Sequence, residues 1–433
     1  GAATDTIVSG SGKDLGFFDS GTVTFDAGLP VSAGTTAPDT GASDNIQSGA
    51  GADVVLGGDG ADTLNAGNGL NLVFGDYGTV NWTGAALLNA TATAAGTGGA
   101  DDITTGIDDD IVFGGTAGDT IHAGAGADVV FGDEGLVTFT SGLATNLSNT
   151  AAAGDGSDTI YGEAGNDVIL GGGAGDTIDA GGDDNTVVGD HATVVRSVNG
   201  SVLATVTVNS SEQGIGGNDT ITAGAGNDWI IGGAGDDTIN AGDGANLVFG
   251  DEAQVLTMFF QLYRVTSSTA NAGNDTITSG SGTNYIIGGA GSDTITVAGG
   301  TSVILGDQGQ IDWSGGVLID ATTFGANSGA RDVITAGNGT SWIFGGDGDD
   351  DITAGNGFVV AFGDHGSIDL TGAGVLTVRS ADFTSGGNDT IATGSGDDII
   401  LGGFGADTIN GGEGNNVVFG DHGEVIKTAA GLD

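Results

Sequence analysis

The chain has no cysteine, so it can form neither a disulfide framework nor a thiolate metal site, and zinc ribbons are excluded. Basic residues are nearly as scarce: 6 Lys and Arg stand against 57 Asp and Glu, a formal net charge of -51. Nucleic acid and anionic membrane surfaces are bound by clustered Lys and Arg, so we expect neither as a partner. No apolar run approaches the length of a membrane span, and the first residues, GAATDTIVSG, lack the basic and apolar regions of a secretory signal. Because the sequence begins and ends inside its own repeat pattern, we expect a piece of a larger protein, or a processed form, with targeting signals elsewhere.

What is present is a regular apolar pattern. The chain is 38% hydrophobic, and its Val, Ile, Leu and Phe recur at fixed intervals, which disfavours ordinary acidic disorder and predicts a core. Self-repulsion of so large a charge opposes any compact state unless something cationic is part of the fold, which points to bound metal ions.

Two periods are nested. The tetrad Gly-Asp-x-Gly, or a close variant, places aspartates at Asp19, Asp76, Asp133, Asp190, Asp251, Asp307, Asp364 and Asp421, spaced by 57, 57, 57, 61, 56, 57 and 57 residues. The expected organisation is a single elongated array: a partial repeat 1–19, units 20–76, 77–133, 134–190, 191–251, 252–307, 308–364 and 365–421, and the start of another arm at 422–433. Inside each unit runs a period of nine, with four nonapeptides such as GAGADVVLG, GDGADTLNA and GAGNDWIIG. All three follow G-x-G-x-D-x-U-x, where U is a large aliphatic residue and the glycines mark turns.

About thirty copies of this pattern, in phase from residue 5 to 421, resemble the RTX (repeats-in-toxin) calcium-binding nonapeptide family. The resemblance implies an all-β fold, a right-handed parallel β-roll or β-solenoid, and a segment of a large bacterial surface or secreted protein. We expect about three rungs in each 57-residue unit, plus a strand-turn-strand arm.

The chemistry follows from the stacking. Two nonapeptides make a coil of 18 residues, so carboxylates 18 apart pile up on rungs about 4.8 Å apart. Such a column is repulsive until a hard divalent cation enters and takes oxygen ligands at roughly 2.3 to 2.6 Å. Calcium fits better than magnesium, which keeps its waters.

The two sides of the coil differ. Column A carries Asp44 and Asp62, Asp101 and Asp119, Asp158 and Asp176, Asp219 and Asp237, Asp275 and Asp293, Asp332 and Asp350, and Asp389 and Asp407. We expect Asp76 and the other Gly-Asp-x-Gly aspartates to continue it as metal ligands, with Asp5, Asp14 and Asp19 serving the partial copy. Column B carries Asp53, Asp110, Asp128, Asp167, Asp228 and Asp398, alternating with Asn71, Asn185, Asn246 and Asn416. Its charge lapses at Asn284, Ser302, Ser341 and Val359, where weak or vacant sites are expected. Two or three calcium ions per unit would give roughly 14 to 21 in all.

Strands after column A have polar outward residues, as in Thr63 and Asn65 or Thr238 and Asn240, so sheet A faces water. Strands after column B are apolar on both faces, as in Val54 and Leu56, Leu72 and Phe74, or Trp342 and Phe344, the mark of a strand covered on both sides. The expected cover is the interruption of about 20 residues after each tetrad, which reads as two strands and a turn, as in TVVRSVNGSVLATVTV, with Asn199-Gly200 at the turn, and SIDLTGAGVLTVRS. The alternative is that sheet B packs against another molecule and drives self-association into fibres or layers.

Other chemistry finds little support. His191, His365 and His422 occupy the x of Gly-Asp-x-Gly, where other copies have Ser20, Tyr77, Glu134, Glu252 and Gln308. So varied a slot reads as an exposed turn without a ligand role. There is no HExxH, GxSxG or GxxxxGK, and the carboxylate pairs recur without a distinct cleft, so we expect no enzyme. Ice binding by rows of Thr is disfavoured because the outward positions of sheet A mix Thr with Asn, Gln, Asp, His and Tyr.

The RTX resemblance further implies type I secretion in an unfolded, calcium-free form and folding on extracellular calcium, placing the protein outside the cell or at its surface. Two classes remain: a structural segment of an adhesin, fibre or surface layer, or the C-terminal repeat region of a secreted toxin or hydrolase whose catalytic domain is absent here.

Overall fold

Short nonapeptides of this kind can form three-residue strands with one inward aliphatic side chain, joined by glycine-rich turns. A computed structural model describes residues 4–36, 41–93, 98–149, 154–199, 202–210, 216–258, 261–268, 273–324, 329–372, 375–381 and 385–427. All regular structure among them is strand. None of it is a helix long and apolar enough to cross a membrane. The chain forms two compact units, Gly1–Gly224 and Ala225–Asp433.

In the first unit, strands Asn45–Gln47, Thr63–Gly67, Asp102–Thr105, Thr120–His122, Thr159–Tyr161 and Thr177–Asp179 pair in parallel. Their inward residues stack in register: Ile46 on Leu64, Leu64 on Ile103, Ile103 on Ile121, Ile121 on Ile160 and Ile160 on Ile178. The steps alternate between 18 and 39 residues, so each 57-residue unit holds two turns of the roll, not the expected three. The extra 21 residues of the longer step are the arm. Counting the tetrad aspartate as a third rung produced the overestimate. On the opposite side, Val54–Leu56, Leu72–Phe74, Ile111–Phe113, Val129–Phe131, Val168–Leu170 and Thr186–Val188 form the second parallel face.

Turn geometry explains the glycines. Gly67 has φ +71, and a Cβ there would collide with the Gly49 carbonyl oxygen one turn away. Only glycine permits both the left-handed backbone and the close approach.

The second unit repeats this plan, with Ile277 on Ile295, Ile295 on Ile334 and Ile334 on Ile352. One stretch departs from it. Thr276–Gly289, Thr294–Asp307 and Val333–Phe344 are single long strands that carry the ladder through the corner. This is where column B loses its aspartates, and Asn284 pairs with Ser302 while Ser302 pairs with Ser341.

The arms are antiparallel hairpins, such as Gly78–Thr83 with Ala86–Ala92 and Leu136–Thr140 with Leu143–Ser148. Ala27-Gly28, Ser141-Gly142 and Gly315-Gly316 have positive φ at both positions, the conformation of the tight turn that matches strand twist. The turn at Asn199-Gly200 includes residue 200, and that of SIDLTGAGVLTVRS includes 373–374, all outside the described residues. Neighbouring hairpins pair with each other, Ala90 opposite Val137 and Leu147 opposite Val194 in the first unit, Val265 opposite Ile311 and Ala321 opposite Ile368 in the second. Side chains 43 residues apart lock them: the Gly78 N–H donates to Thr35 Oγ1 at 3.1 Å, Ala192 N–H to Asn149 Oδ1 at 2.7 Å, and Gly366 N–H to Thr323 Oγ1 at 3.0 Å. Two of the rare arginines join adjacent arms, Arg264 to Asp312 through two hydrogen bonds (2.7 and 2.9 Å) and Arg379 to Glu424.

This hairpin sheet lies over sheet B. Phe74, Phe113 and Phe131 are fully buried in the first unit, as are Phe249, Phe344 and Phe362 in the second. Their rings stack from turn to turn, Phe74 on Phe113 at 4.8 Å, Phe113 on Phe131 at 4.7 Å, and Phe344 on Phe362 at 4.6 Å. Across the layer, Tyr285 meets Trp313 of an arm edge to face at 4.9 Å. The inner faces of the hairpins, including Val80, Val137, Val194, Val255 and Ile311, are equally dry. Intramolecular cover is therefore the arrangement found for these residues, and they offer no apolar face to another molecule. Sheet A keeps Thr63, Asn65, Thr238 and Asn240 exposed.

Because Phe113 is stacked on both sides beneath the arms, Phe113→Ala should cost about 3 to 5 kcal/mol through lost burial and a cavity. Denaturation of the calcium-saturated protein measures it. A loss below about 1 kcal/mol would show that the arms do not seal sheet B.

Candidate metal centres

A buried carboxylate stands at the end of each column A turn, and it is tied to the next by the backbone. In the first unit the Asp44 N–H donates to Asp62 Oδ1, Asp62 to Asp101, Asp101 to Asp119, and Asp119 to Asp158, each at 2.7 Å. In the second unit the same bond joins Asp275 to Asp293, Asp293 to Asp332, and Asp332 to Asp350 at 2.8 Å. One oxygen of each carboxylate is thus used by the ladder. The other, Oδ2, is buried without a hydrogen-bond partner in Asp62, Asp101, Asp119, Asp158 and Asp176, and again in Asp275, Asp293, Asp332, Asp350 and Asp389. Column B does the same with Asp53, Asp110, Asp128, Asp167 and Asp398. Asp5 and Asp14 start the two columns, donating to Asp44 Oδ1 at 2.6 Å and Asp53 Oδ1 at 2.8 Å. Asp407 is half-buried and Asp421 exposed. Asp219, Asp237 and Asp228 are buried at their expected places in the columns.

The asparagine rungs show what the vacant oxygen faces. Asn71, Asn185, Asn246 and Asn416 keep the ladder, each Oδ1 accepting the N–H of the aspartate one turn back. Their Nδ2 atoms donate to turn carbonyls: Asn71 to Gly67 at 3.0 Å, Asn185 to Gly182 at 3.3 Å, and Asn246 to Ala241 and Gly242 at 3.1 Å. In these corners the second side-chain atom points at carbonyl oxygens. An aspartate in the same place adds a carboxylate oxygen to those carbonyls, an all-oxygen setting that suits calcium. Where asparagine stands, the amide closes the corner itself. At Ser302 and Ser341 a hydroxyl pair at 3.0 Å does so.

Electrostatics agree with this fit. Burial, then the charge of Asp76, pushes Asp101 up to about 9. Burial, then Asp101 and Asp158, pushes Asp119 up to about 11. Asp176 rises to about 10, Asp128 and Asp350 to about 8, and Asp167 to about 7, burial being the first cause in each. A bound cation would supply the positive charge that lets these groups ionise.

The tetrad aspartates are placed differently from expectation. Column A passes directly from Asp62 to Asp101, and Asp76 sits beside it at the root of the arm. There Asp76 Oδ1 accepts the Gly99 N–H at 3.2 Å and Oδ2 accepts the Thr116 N–H at 2.6 Å, which clamps the end of the arm to the next turn. Asp133 accepts from Gly156 and Gly173, Asp251 from Gly273 and Ala290, and Asp364 from Gly387 and Phe404. Asp19, Asp190 and Asp307 accept in the same way from Asp59, Gly217 and Asp347. They are not rungs of column A, because the arm inserts between the tetrad and the resumed nonapeptide.

The x slot of the tetrad also departs from expectation. Tyr77, Glu134, His191, Glu252, Gln308 and His365 are at most 6% exposed, so this is an enclosed position at the arm root and not an exposed turn. His191 Nε2 lies 3.4 Å from Asp155, and His365 Nε2 3.2 Å from Asp347. The sequence held a signal for this, since Asp59, Asp155 and Asp347 each stand three residues before a column A aspartate, where other copies have glycine, alanine, threonine or phenylalanine.

Two outcomes test the columns. A folded value raised above the ordinary carboxylate range means stability that is full below about pH 4 and lost as pH rises through about 7 to 11. In chelator, acidification from about pH 8 to about pH 4 should therefore restore β-structure by circular dichroism. No gain on acidification would show that column charge is not what opposes the metal-free fold. Asp119→Asn retains an Oδ1 acceptor and removes one charge, so the calcium concentration at half folding should rise on the order of tenfold. An unchanged midpoint would remove Asp119 from the ligands.

A model of the RTX calcium-binding nonapeptide repeat (4 copies) matches residues 39–73, 104–135, 144–178, 213–248, 269–304, 328–358 and 383–418. No curated protein matches the chain. The matched stretches cover more than half of the sequence and contain the nonapeptides that build the two columns. With parallel turns, stacked carboxylates and this match together, the chain belongs to the RTX calcium-binding nonapeptide repeat family.

Proposed function

We propose that this protein is a calcium-folded, non-catalytic structural segment that works outside the cell or at its surface, in an adhesin, fibre or surface-layer scaffold. The observation that carries this reading is the row of buried, unpartnered Oδ2 atoms that recurs from turn to turn in both units. A recurring site of this kind serves the fold along its length, whereas a catalytic centre needs a single assembled constellation. Calcium bound only by the native state stabilises it by linkage, and extracellular calcium then acts as the signal to fold. Where the arms cover sheet B, as over Phe113, Phe131 and Phe344, the roll needs no partner on that face. Any assembly into fibres or layers would use other surfaces, such as the exposed residues near the hairpin tips, Phe25, Leu29, Met258 and Val317.

A calcium titration followed by circular dichroism and light scattering, with magnesium as control, tests this. Cooperative β-structure appearing with calcium at constant monomer mass is the expected result. Scattering that grows along with folding would make the segment a fibre or layer former through a surface other than sheet B. Full β-structure in chelator at neutral pH would overturn the calcium-folded reading.

A further inference from the structure

The slot at the root of the third arm gathers chemistry that the calcium columns lack. Asp133, Asp155 and His191 each bring one ligand atom to within 4.8 Å of the others. His191 is 1% exposed, and neither ring nitrogen has a hydrogen bond. Nε2 faces Asp155 Oδ2 at 3.4 Å. Glu134 is buried in the same place, and its carboxyl is pushed up to about 7 by burial and then by the nearby Asp155. Burial, followed by the charge of Asp158, pushes Asp133 up to about 9. Room for the group comes from Gly173, where a Cβ would lie 2.7 Å from both Cβ and Oδ2 of Asp155.

We propose that Asp133, Asp155 and His191 form a site for a divalent first-row transition ion of the zinc type, distinct from the calcium columns. Imidazole nitrogen suits such ions, whereas calcium takes oxygen. A protonated His191 paired with Asp155 is the simpler arrangement, but it brings one positive charge to three carboxyl groups and leaves Nδ1 buried without a partner. A divalent ion on a neutral imidazole compensates two of those charges, and Asp133 and Asp155 supply its oxygen ligands. The copy at His365 has the Asp347 pair. Among the described residues, however, the group of three is gathered at His191.

The test uses the full chain in saturating calcium, titrated with Co²⁺ and then with Zn²⁺. One equivalent of Co²⁺ with the visible absorption of a nitrogen-containing site, displaced by Zn²⁺, is expected. His191→Gln should abolish the band while the calcium-dependent circular dichroism stays unchanged, because Gln308 fills the same slot in another copy. Asp155→Asn should weaken binding by at least the roughly tenfold that loss of an outer-shell partner costs. His365→Gln should leave binding unaltered. Absence of the band in the unaltered chain, or its survival in His191→Gln or undiminished in Asp155→Asn, would overturn the site. Calcium-dependent folding is read separately by circular dichroism, so the two proposals can fail independently.

Discussion

The fold depends on a carboxylate that does two jobs with two oxygens. Oδ1 accepts the N–H of the aspartate on the preceding turn and so fixes the register of the roll, and Oδ2 is left buried facing the corner. The first interaction holds whether or not the group is charged. The second turns the position into a liability at neutral pH, since burial alone favours the protonated form. Register and an oxygen for a cation therefore come from one side chain. The chain thus combines a dry aliphatic core at Ile103, Ile121 and Ile160 with a row of buried carboxyl groups that a cation would neutralise.

Around that constraint the sheets divide the remaining work. The roll supplies inward aliphatics on both faces, and the hairpin sheet removes the outer face of sheet B from water. Pairing between successive hairpins gives the arms their own continuous ladder, reinforced by Thr35, Asn149, Ser267, Thr323 and Ser380 at equivalent places. Two ladders of opposite sense thus advance together within each unit, one parallel and one antiparallel, and the tetrad aspartate clamps one to the other.

Much of this was legible in the sequence because it rests on periodicity. The nine-residue spacing gave the strands, the columns and the calcium chemistry, and the doubly apolar strands gave the need for a cover. Asp76 misled because spacing along the chain does not show where an inserted arm re-enters: the next rung is Asp101, reached only after the hairpin returns. His191 misled because variety in a turn suggests exposure, whereas here the slot lies beneath the arm root and faces a residue far away in sequence, Asp155. The asparagine corners were read as a loss of charge, and their amide bond to a turn carbonyl depends on a direction in space that spacing does not carry.

The long strands Thr276–Gly289, Thr294–Asp307 and Val333–Phe344 make one stretch of the second unit unlike the rest. Their corner on the column B side is closed by backbone pairing and by the Ser302 and Ser341 hydroxyls, with no carboxylate to neutralise. On that side column B offers calcium no carboxylate, while column A opposite keeps the buried Oδ2 atoms of Asp275, Asp293, Asp332 and Asp350. The turns are therefore not equivalent towards calcium: the distribution of Asp, Asn and Ser along the columns grades the corners from those with a carboxylate oxygen to offer to one that closes on hydroxyls alone.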